Sequence, residues 1–212
     1  MITNKIVTIE EVQTIVVNFM KEEQNENFDI EEVSVCEFDN GIFEINVNGY
    51  EYIVSNNYDR LEEEAIQDTI NIIEDCGLTQ SLIDEAYIKG WINESWFEDY
   101  WREHNEFLAY AEGIEYIATE EEMEAIEDGE LTEEEVRENY FESLNNSIEG
   151  NELEEFKFQF GDEEFQRVLL RENLIDIEEV AKWCVDMDGV AHTLATWDGE
   201  EIEYNGFYFY QR

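Results

Sequence analysis

A formal net charge of −46, from 57 Asp and Glu against 11 Lys and Arg, constrains this 212-residue chain more than any other property. Compaction crowds like charges together, and their repulsion adds to the conformational entropy that already opposes folding. A chain of this kind stays unfolded unless it has enough apolar surface to overcome both terms. Here Leu, Ile, Val and Phe supply 59 of the 212 residues, above the roughly 20% below which disorder is expected. Five Trp, 11 Tyr and 13 Phe add large side chains, each worth about 2–3 kcal/mol when fully buried. The composition predicts a folded protein that tolerates its own repulsion.

That tolerance needs a reason, because a net charge of about 2–8 already keeps a small domain soluble. Like charges one helical turn apart each cost roughly 0.2–0.5 kcal/mol. A salt-adapted proteome would supply one explanation, but 44 Glu to 13 Asp, with 22 Ile and 18 Asn, fits an AT-rich coding bias better. Cys36, Cys76 and Cys184 are far apart, form no CxxC pair and have apolar neighbours. They are expected to be reduced core thiols of a cytosolic protein. Lys5 is followed by a short mixed segment and a Thr cap, which does not resemble a signal peptide. No apolar run reaches the roughly 18–20 residues that span a bilayer, and an anionic membrane surface would repel the chain. The expectation is a cytoplasmic protein with no membrane partner.

Hydrophobic periodicity predicts an α+β fold. Thr8 and Glu11 form a capping box, and Ile9, Val12, Val16, Phe19 and Met20 follow at helical spacing to about Glu23. Val33 to Phe38, Ile42 to Val47 and Tyr50 to Ser55 read as three strands joined at Asp39-Asn40-Gly41 and at Asn48-Gly49. From Tyr58 to about Asn146 the pattern is helical, with starts at Thr79, Asn93, Thr119 and Thr132. Glu163 to Asn173 reads as a helix, and Asp176 with Glu179 as a second capping box. Val190 to Trp197, Glu200 to Tyr204 and Phe207 to Gln211 read as strands, with turns at Asp198-Gly199 and Asn205-Gly206. The expected division is a helix plus three-stranded antiparallel meander over 1–57, a helical region over 58–150, and helices plus a second meander over 151–212. The ends echo each other, through either a duplicated helix-plus-meander unit or reuse of common capping and hairpin chemistry.

Catalytic and metal-binding patterns are sparse. His104 and His192 have no partner at metal-ligand spacing. Asp186-Met187-Asp188-Gly189 hints at a calcium loop, but with Gly189 at position six, Cys184 and Ala195 fall where the first and last ligands belong. Glu155-Phe156-Lys157 matches half of a metal-dependent nuclease motif, yet a body of charge −46 repels DNA phosphates. No phosphate loop, nucleophile elbow or dinucleotide fingerprint occurs. The reading is a non-enzyme with no cofactor, no metal and no direct nucleic-acid ligand.

The constellation that stands out is the acid distribution itself. The candidate partner-binding residues are Glu62, Glu63, Glu64 and Asp68; Glu94, Glu98 and Asp99; Glu120, Glu121, Glu124, Glu127 and Asp128; Glu133, Glu134, Glu135 and Glu138; and Glu154 and Glu155. Some clustering is ordinary chemistry, since acids in a first turn oppose the helix dipole favourably. A charge run is also commonly just a solvated face. Carboxylates on every helix of a folded body go beyond both. Residues four apart on a helix are about 6 Å apart along its axis, while duplex DNA carries one charge per ~1.7 Å. Two or three acidic helices side by side approach that density. At the same spacing, 46 charges correspond to roughly 78 Å of duplex, well beyond the radius of gyration of about 17 Å for a compact chain of this length.

With acid-studded helices, scarce Lys and Arg, many aromatics and small sheet units, the chain resembles the DNA-mimic anti-restriction proteins of phages and mobile elements, the ArdA family and Ocr. Asp188-Gly189 through Leu194-Ala195-Thr196-Trp197-Asp198-Gly199-Glu200, with Phe207-Tyr208-Phe209-Tyr210, is similar to the C-terminus of some tailed-phage proteins. The resemblance implies an elongated, often dimeric protein occupying the DNA groove of a restriction-modification or similar host defence complex. The candidate carboxylates would stand in for phosphates, with Trp91, Trp96 or Trp101 as anchors. The alternative is an acidic adaptor, or an inhibitor of a basic host protein that does not bind DNA. An enzyme using buried carboxylates is the third class.

Overall fold

A computed structural model describes residues 7–23, 29–39, 41–197 and 199–212. Lys5 and the expected turn residues Asn40 and Asp198 lie outside the described residues. The chain begins with α1 (Ile9–Glu22), β1 (Val33–Asp39), β2 (Ile42–Val47), β3 (Tyr50–Ser55) and α2 (Tyr58–Cys76). It continues through α3 (Gln80–Lys89), α4 (Ser95–Ala111), α5 (Ile114–Ile117), α6 (Glu120–Glu127), α7 (Glu133–Ile148), α8 (Glu152–Phe160) and α9 (Asp162–Arg171). It closes with α10 (Ile177–Asp188), α11 (Val190–Leu194), β4 (Ile202–Tyr204) and β5 (Phe207–Gln211). Mixed helix and antiparallel sheet bear out the α+β expectation.

Contacts divide the chain into two compact units: residues 1–76 with 177–212, and residues 77–176. This differs from the three consecutive segments expected from the sequence. The first unit draws on both ends of the chain because β5 does not belong to a second meander. It pairs antiparallel with β3, matching Ile53 with Tyr210 and Val54 with Phe209, and β4 pairs on its far side. The result is one five-stranded sheet in the order β1-β2-β3-β5-β4.

Both tight hairpins form where an Asn-Gly pair can take two positive φ angles, as a two-residue turn of this hand requires. Asn48 and Gly49 have φ of 52° and 86°, and Asn205 and Gly206 have 52° and 78°. Strand alternation then sorts side chains onto two faces. Phe43, Ile45, Tyr52, Val54 and Phe209 pack against Val12, Val16, Phe19 and Met20 of α1. Phe19 stacks on Phe209 at 4.3 Å between centroids and meets Tyr52 edge-on at 5.9 Å. On the other face, Ile42, Ile53 and Tyr210 pack against Leu61 and Ala65 of α2, Val185 of α10, and Val190 and Leu194 of α11.

The expected strand Val190 to Trp197 is therefore not formed: its first five residues are the helix α11, and Ala195 to Trp197 lie in a turn segment outside any strand. Gly189, at φ 87°, breaks the chain between α10 and α11. Val190 and Leu194 are four apart, so on a helix both point at the sheet. His192, expected in that strand, is an exposed residue of α11. Asp186 to Asp188 form the last turn of α10 instead of a loop. The cysteines also depart from expectation: Cys36 and Cys76 are exposed and only Cys184 is half-buried. Cys36 alternates with Val33 and Val35 and so points away from the face that α1 covers. Burial pushes the Cys184 thiol up from its ordinary pKa.

The second unit is helical. Phe97, Trp101, Asn105 and Ala109, each four apart, form the buried face of α4, which packs on α7 and α8. Phe97 meets Phe156 of α8 at 5.2 Å and Phe165 of α9 at 5.7 Å. The buried polar Asn105 is satisfied by the Asn145 side chain of α7, to which its amide donates at 3.1 Å. Where the chain enters and leaves this unit, Ile92 and Ile175 form an antiparallel bridge. The Asn93 amide donates to the Leu174 carbonyl at 2.7 Å, and the Asp176 amide to that of Trp91 at 2.9 Å.

Candidate partner-binding surface

Local capping chemistry places many of the acids. Thr119 and Thr132 are the N-caps of α6 and α7, each in a full capping box with Glu122 or Glu135 at the third helical position. The Thr119 amide donates to the Glu122 carboxylate at 2.8 Å, and the Thr132 amide to that of Glu135 at 2.8 Å. These backbone hydrogen bonds, reinforced by the threonine hydroxyls, hold both carboxyls below the usual range. Each box leaves the preceding two Glu in the first turn, where the helix dipole favours them. Glu120-Glu121 and Glu133-Glu134 are all exposed.

Of the residues singled out, Glu63, Glu94, Glu98, Asp99, Glu120, Glu121, Glu124, Glu127, Asp128, Glu133, Glu134, Glu135, Glu138 and Glu154 are exposed. Glu62, Glu64, Asp68 and Glu155 are half-buried. Several are engaged by neighbours. Glu63 pairs with Arg60 at 2.6 Å, Asp99 with Arg102 at 3.3 Å, Glu133 with Arg137 at 3.7 Å and Asp68 with Arg212 at 3.0 Å. Glu155 accepts from Gln159 at 2.7 Å, and Glu135 is turned back onto Thr132. Among the described residues, no Lys or Arg stands within ion-pair distance of Glu94, Glu98, Glu120, Glu121, Glu124, Glu127, Asp128, Glu134, Glu138 or Glu154. All ten lie in the second unit. The four candidates of the first unit, Glu62, Glu63, Glu64 and Asp68, share α2.

Counted over the sequence, residues 77–176 carry 30 acidic against 6 basic side chains, net −24. Residues 1–76 with 177–212 carry 27 against 5, net −22. Exposed ion pairs add little stability and break readily, so even the paired carboxylates remain accessible to a competing cation.

The tryptophans expected as anchors are placed otherwise. Trp101 is buried, and its indole N–H donates to the Glu152 carbonyl at 3.0 Å. Trp96 is half-buried and stacks on Tyr100 at 5.5 Å, and Trp91 is half-buried. A helix with apolar residues at every fourth position buries the rings on that row, which removes Trp101 from the surface. The rings that are more than half exposed are others: Phe107, Tyr110, Tyr116 and Phe158 in the second unit and Phe38 and Trp197 in the first. For Phe107 and Tyr110 the helical phase of α4 supplied a usable signal, since neither falls on the row of Phe97, Trp101, Asn105 and Ala109.

Other chemistry is thin. A cavity of about 490 Å³ in the second unit is lined by Glu98, Trp101, Arg102, Asn145, Glu149 and Glu152, among others, with no His, Cys, Ser or Lys in the lining. Among the described residues, no group of three or more His, Cys, Asp or Glu is arranged to hold a metal ion. No helix among them is long and apolar enough to cross a membrane. His104 lies between Tyr100 and Trp101, at 5.9 and 5.3 Å between ring centroids.

No family model matches the chain, and no curated protein or solved structure matches it with significance.

Proposed function

We propose that this protein is a phage-encoded mimic of duplex DNA that occupies the DNA-binding channel of a host defence complex, a restriction-modification enzyme or a similar anti-phage system. The observation that carries the reading is the near-equal charge of two units built in different ways, net −22 and net −24. A sheet covered by helices and a helical cluster have no common folding need for surplus carboxylates. Each of those carboxylates opposes compaction. A requirement on the surface as a whole explains them in both.

In this reading the ten carboxylates without a basic neighbour present ready charge to Lys and Arg of the channel. The paired ones exchange an intramolecular partner for an intermolecular one. Affinity is largely electrostatic and falls steeply with salt. Exclusion of duplex DNA from a purified type I restriction complex is the test. The expected result is that added protein releases labelled DNA, and that excess unlabelled duplex releases the protein. If the protein binds such complexes and DNA never displaces it, the partner surface is not a DNA channel and mimicry is wrong.

A further inference from the structure

Helix α4 has a second face that its packing does not explain. At about 100° per residue, positions 99, 103, 106, 107 and 110 fall within an arc of about 100°. That arc lies opposite the buried row of Phe97, Trp101, Asn105 and Ala109. It carries Asp99, Glu103 and Glu106, all exposed, together with Phe107 at 67% and Tyr110 at 53% exposure. Among the described residues no ring stacks on either aromatic. The outer face of a surface helix is normally polar throughout. Two aromatics at i and i+3 there stay more than half exposed and gain little on folding.

We infer that this face of α4 is an anchor for arginine side chains of the basic partner, with Phe107 and Tyr110 receiving guanidinium planes and Glu103 and Glu106 accepting their N–H groups. The inference rests on the reading that the partner is basic, and it adds which cation is preferred and where. Charge complementarity selects the occupant: an apolar partner would have to desolvate three carboxylates, whereas a cation meets rings and carboxylates together. A guanidinium stacks on an aromatic face and forks onto a carboxylate at once, which an ammonium cannot do. Side chains at i, i+3 and i+4 are about 5–6 Å apart at Cβ, so Glu103, Glu106, Phe107 and Tyr110 can reach one such group. Arg102, paired with Asp99, lies beside this arc and marks its limit on that side. Phe158 is a weaker candidate because its helix already carries the cation of Lys157, seated over the Phe165 ring.

The test uses the full chain and two probes of equal charge, a deca-arginine and a deca-lysine peptide, at matched ionic strength. The parent protein is expected to bind deca-arginine about threefold more tightly than deca-lysine, the size of an exposed cation–π contribution. Phe107→Ala with Tyr110→Ala should abolish that preference while leaving deca-lysine binding unchanged. Ile88→Ala, which removes an equally exposed side chain with no ring, should leave the preference intact. Amide shifts on adding deca-arginine should centre on residues 99–110. Equal binding of both peptides by the parent, or a preference that survives the double variant, overturns the anchor and leaves the basic-partner reading standing. If the parent binds neither peptide at low salt, the basic-partner reading fails and the anchor fails with it.

Discussion

In the unit made from both ends of the chain, the core is assembled from distant segments. Phe19 near the start stacks on Phe209 near the end, and β3 pairs with β5. The unit between them builds its core from helices, with α4 packing on α7 and α8 and Phe97 meeting Phe156 and Phe165. The first unit is held by strand pairing between the two ends of the chain, the second by helix packing. Their charges nevertheless differ by only two, −22 against −24. Ion pairs to Lys or Arg occur in both units. The exposed candidate acids without a basic neighbour among the described residues are all in the helical unit, while the candidates of the first unit share the single helix α2.

The largest expected effect separates the two cores. Phe209→Ala removes a ring that is fully buried, and such truncations cost about 3–5 kcal/mol. Because β5 sits between β3 and β4, amide exchange should accelerate throughout the sheet while α4 and α7 keep their protection. Phe165→Ala, also fully buried, should cost as much and reverse the pattern. If either variant unfolds both regions together, the two units are one cooperative body and the comparison collapses.

A smaller effect sharpens the comparison at alkaline pH. Tyr210 of the first unit is fully buried and donates to the Glu201 carboxylate. Burial, followed by that carboxylate, pushes its phenol far above the ordinary value. Stabilisation from a raised group is complete below the unfolded pKa, about 10, and is lost as pH rises above it, because the unfolded chain releases its proton first. Denaturant midpoints of the first unit should therefore fall above about pH 10, and Tyr210→Phe should flatten the fall. The same variant should cost about 1–2 kcal/mol at neutral pH through the lost charged hydrogen bond. An alkaline loss of the same size in the parent and the variant would remove Tyr210 as its cause.

Caps probe both units on equal terms. Thr8→Ala in the first and Thr119→Ala in the second should each cost about 1 kcal/mol. Glu122, the reciprocal partner of Thr119, has its carboxyl lowered by the Thr119 backbone and hydroxyl. Its contribution is present above the unfolded carboxylate value, about 4.3, and disappears as pH falls through the lower folded one. An acid titration of helix α6 by amide exchange should show that loss in the parent and a smaller one in Thr119→Ala, which removes the hydroxyl and keeps the backbone donor.

Capping and turn chemistry are the parts of this fold that single residues announce. Thr8, Thr79, Thr119 and Thr132 all cap the helices they were expected to start. Asn48-Gly49 and Asn205-Gly206 both turn their hairpins, and β1 to β3 fall where alternation put them. What stayed hidden is long-range. Nothing local tells Phe207 to Gln211 to join β3 as well as β4 of its own segment. Val190 and Leu194 satisfy helix and strand patterns alike until the sheet they pack against is known. The acids were legible as a population and mostly as exposed residues. Their individual engagement was not, because Asp68 meets Arg212 only once the ends of the chain are brought together. The anchors were misplaced for a related reason: tryptophan is the stronger interface residue in general, but helical phase gave Trp101 to the core and Phe107 to the surface.

The smallest effect bears directly on why the charge is there. Glu124 has Glu120, Glu121, Glu127 and Asp128 at three or four residues' distance, and no basic neighbour among the described residues. Like-charge pairs at these spacings cost roughly 0.2–0.5 kcal/mol each at low salt. Glu124→Gln should therefore stabilise the helical unit by about 0.5 kcal/mol or more at low ionic strength, with the gain vanishing as salt screens it. Glu63 of the first unit is paired with Arg60 at 2.6 Å, so Glu63→Gln should be neutral or slightly destabilising. Chemical denaturation at two salt concentrations measures both. A stabilised Glu124→Gln that binds the defence complex less well would show one carboxylate costing fold stability and contributing to the partner interface. If Glu124→Gln gains nothing at low salt, the charges of α6 are adequately solvated, and the argument that they require a functional reason loses its energetic footing in the helical unit.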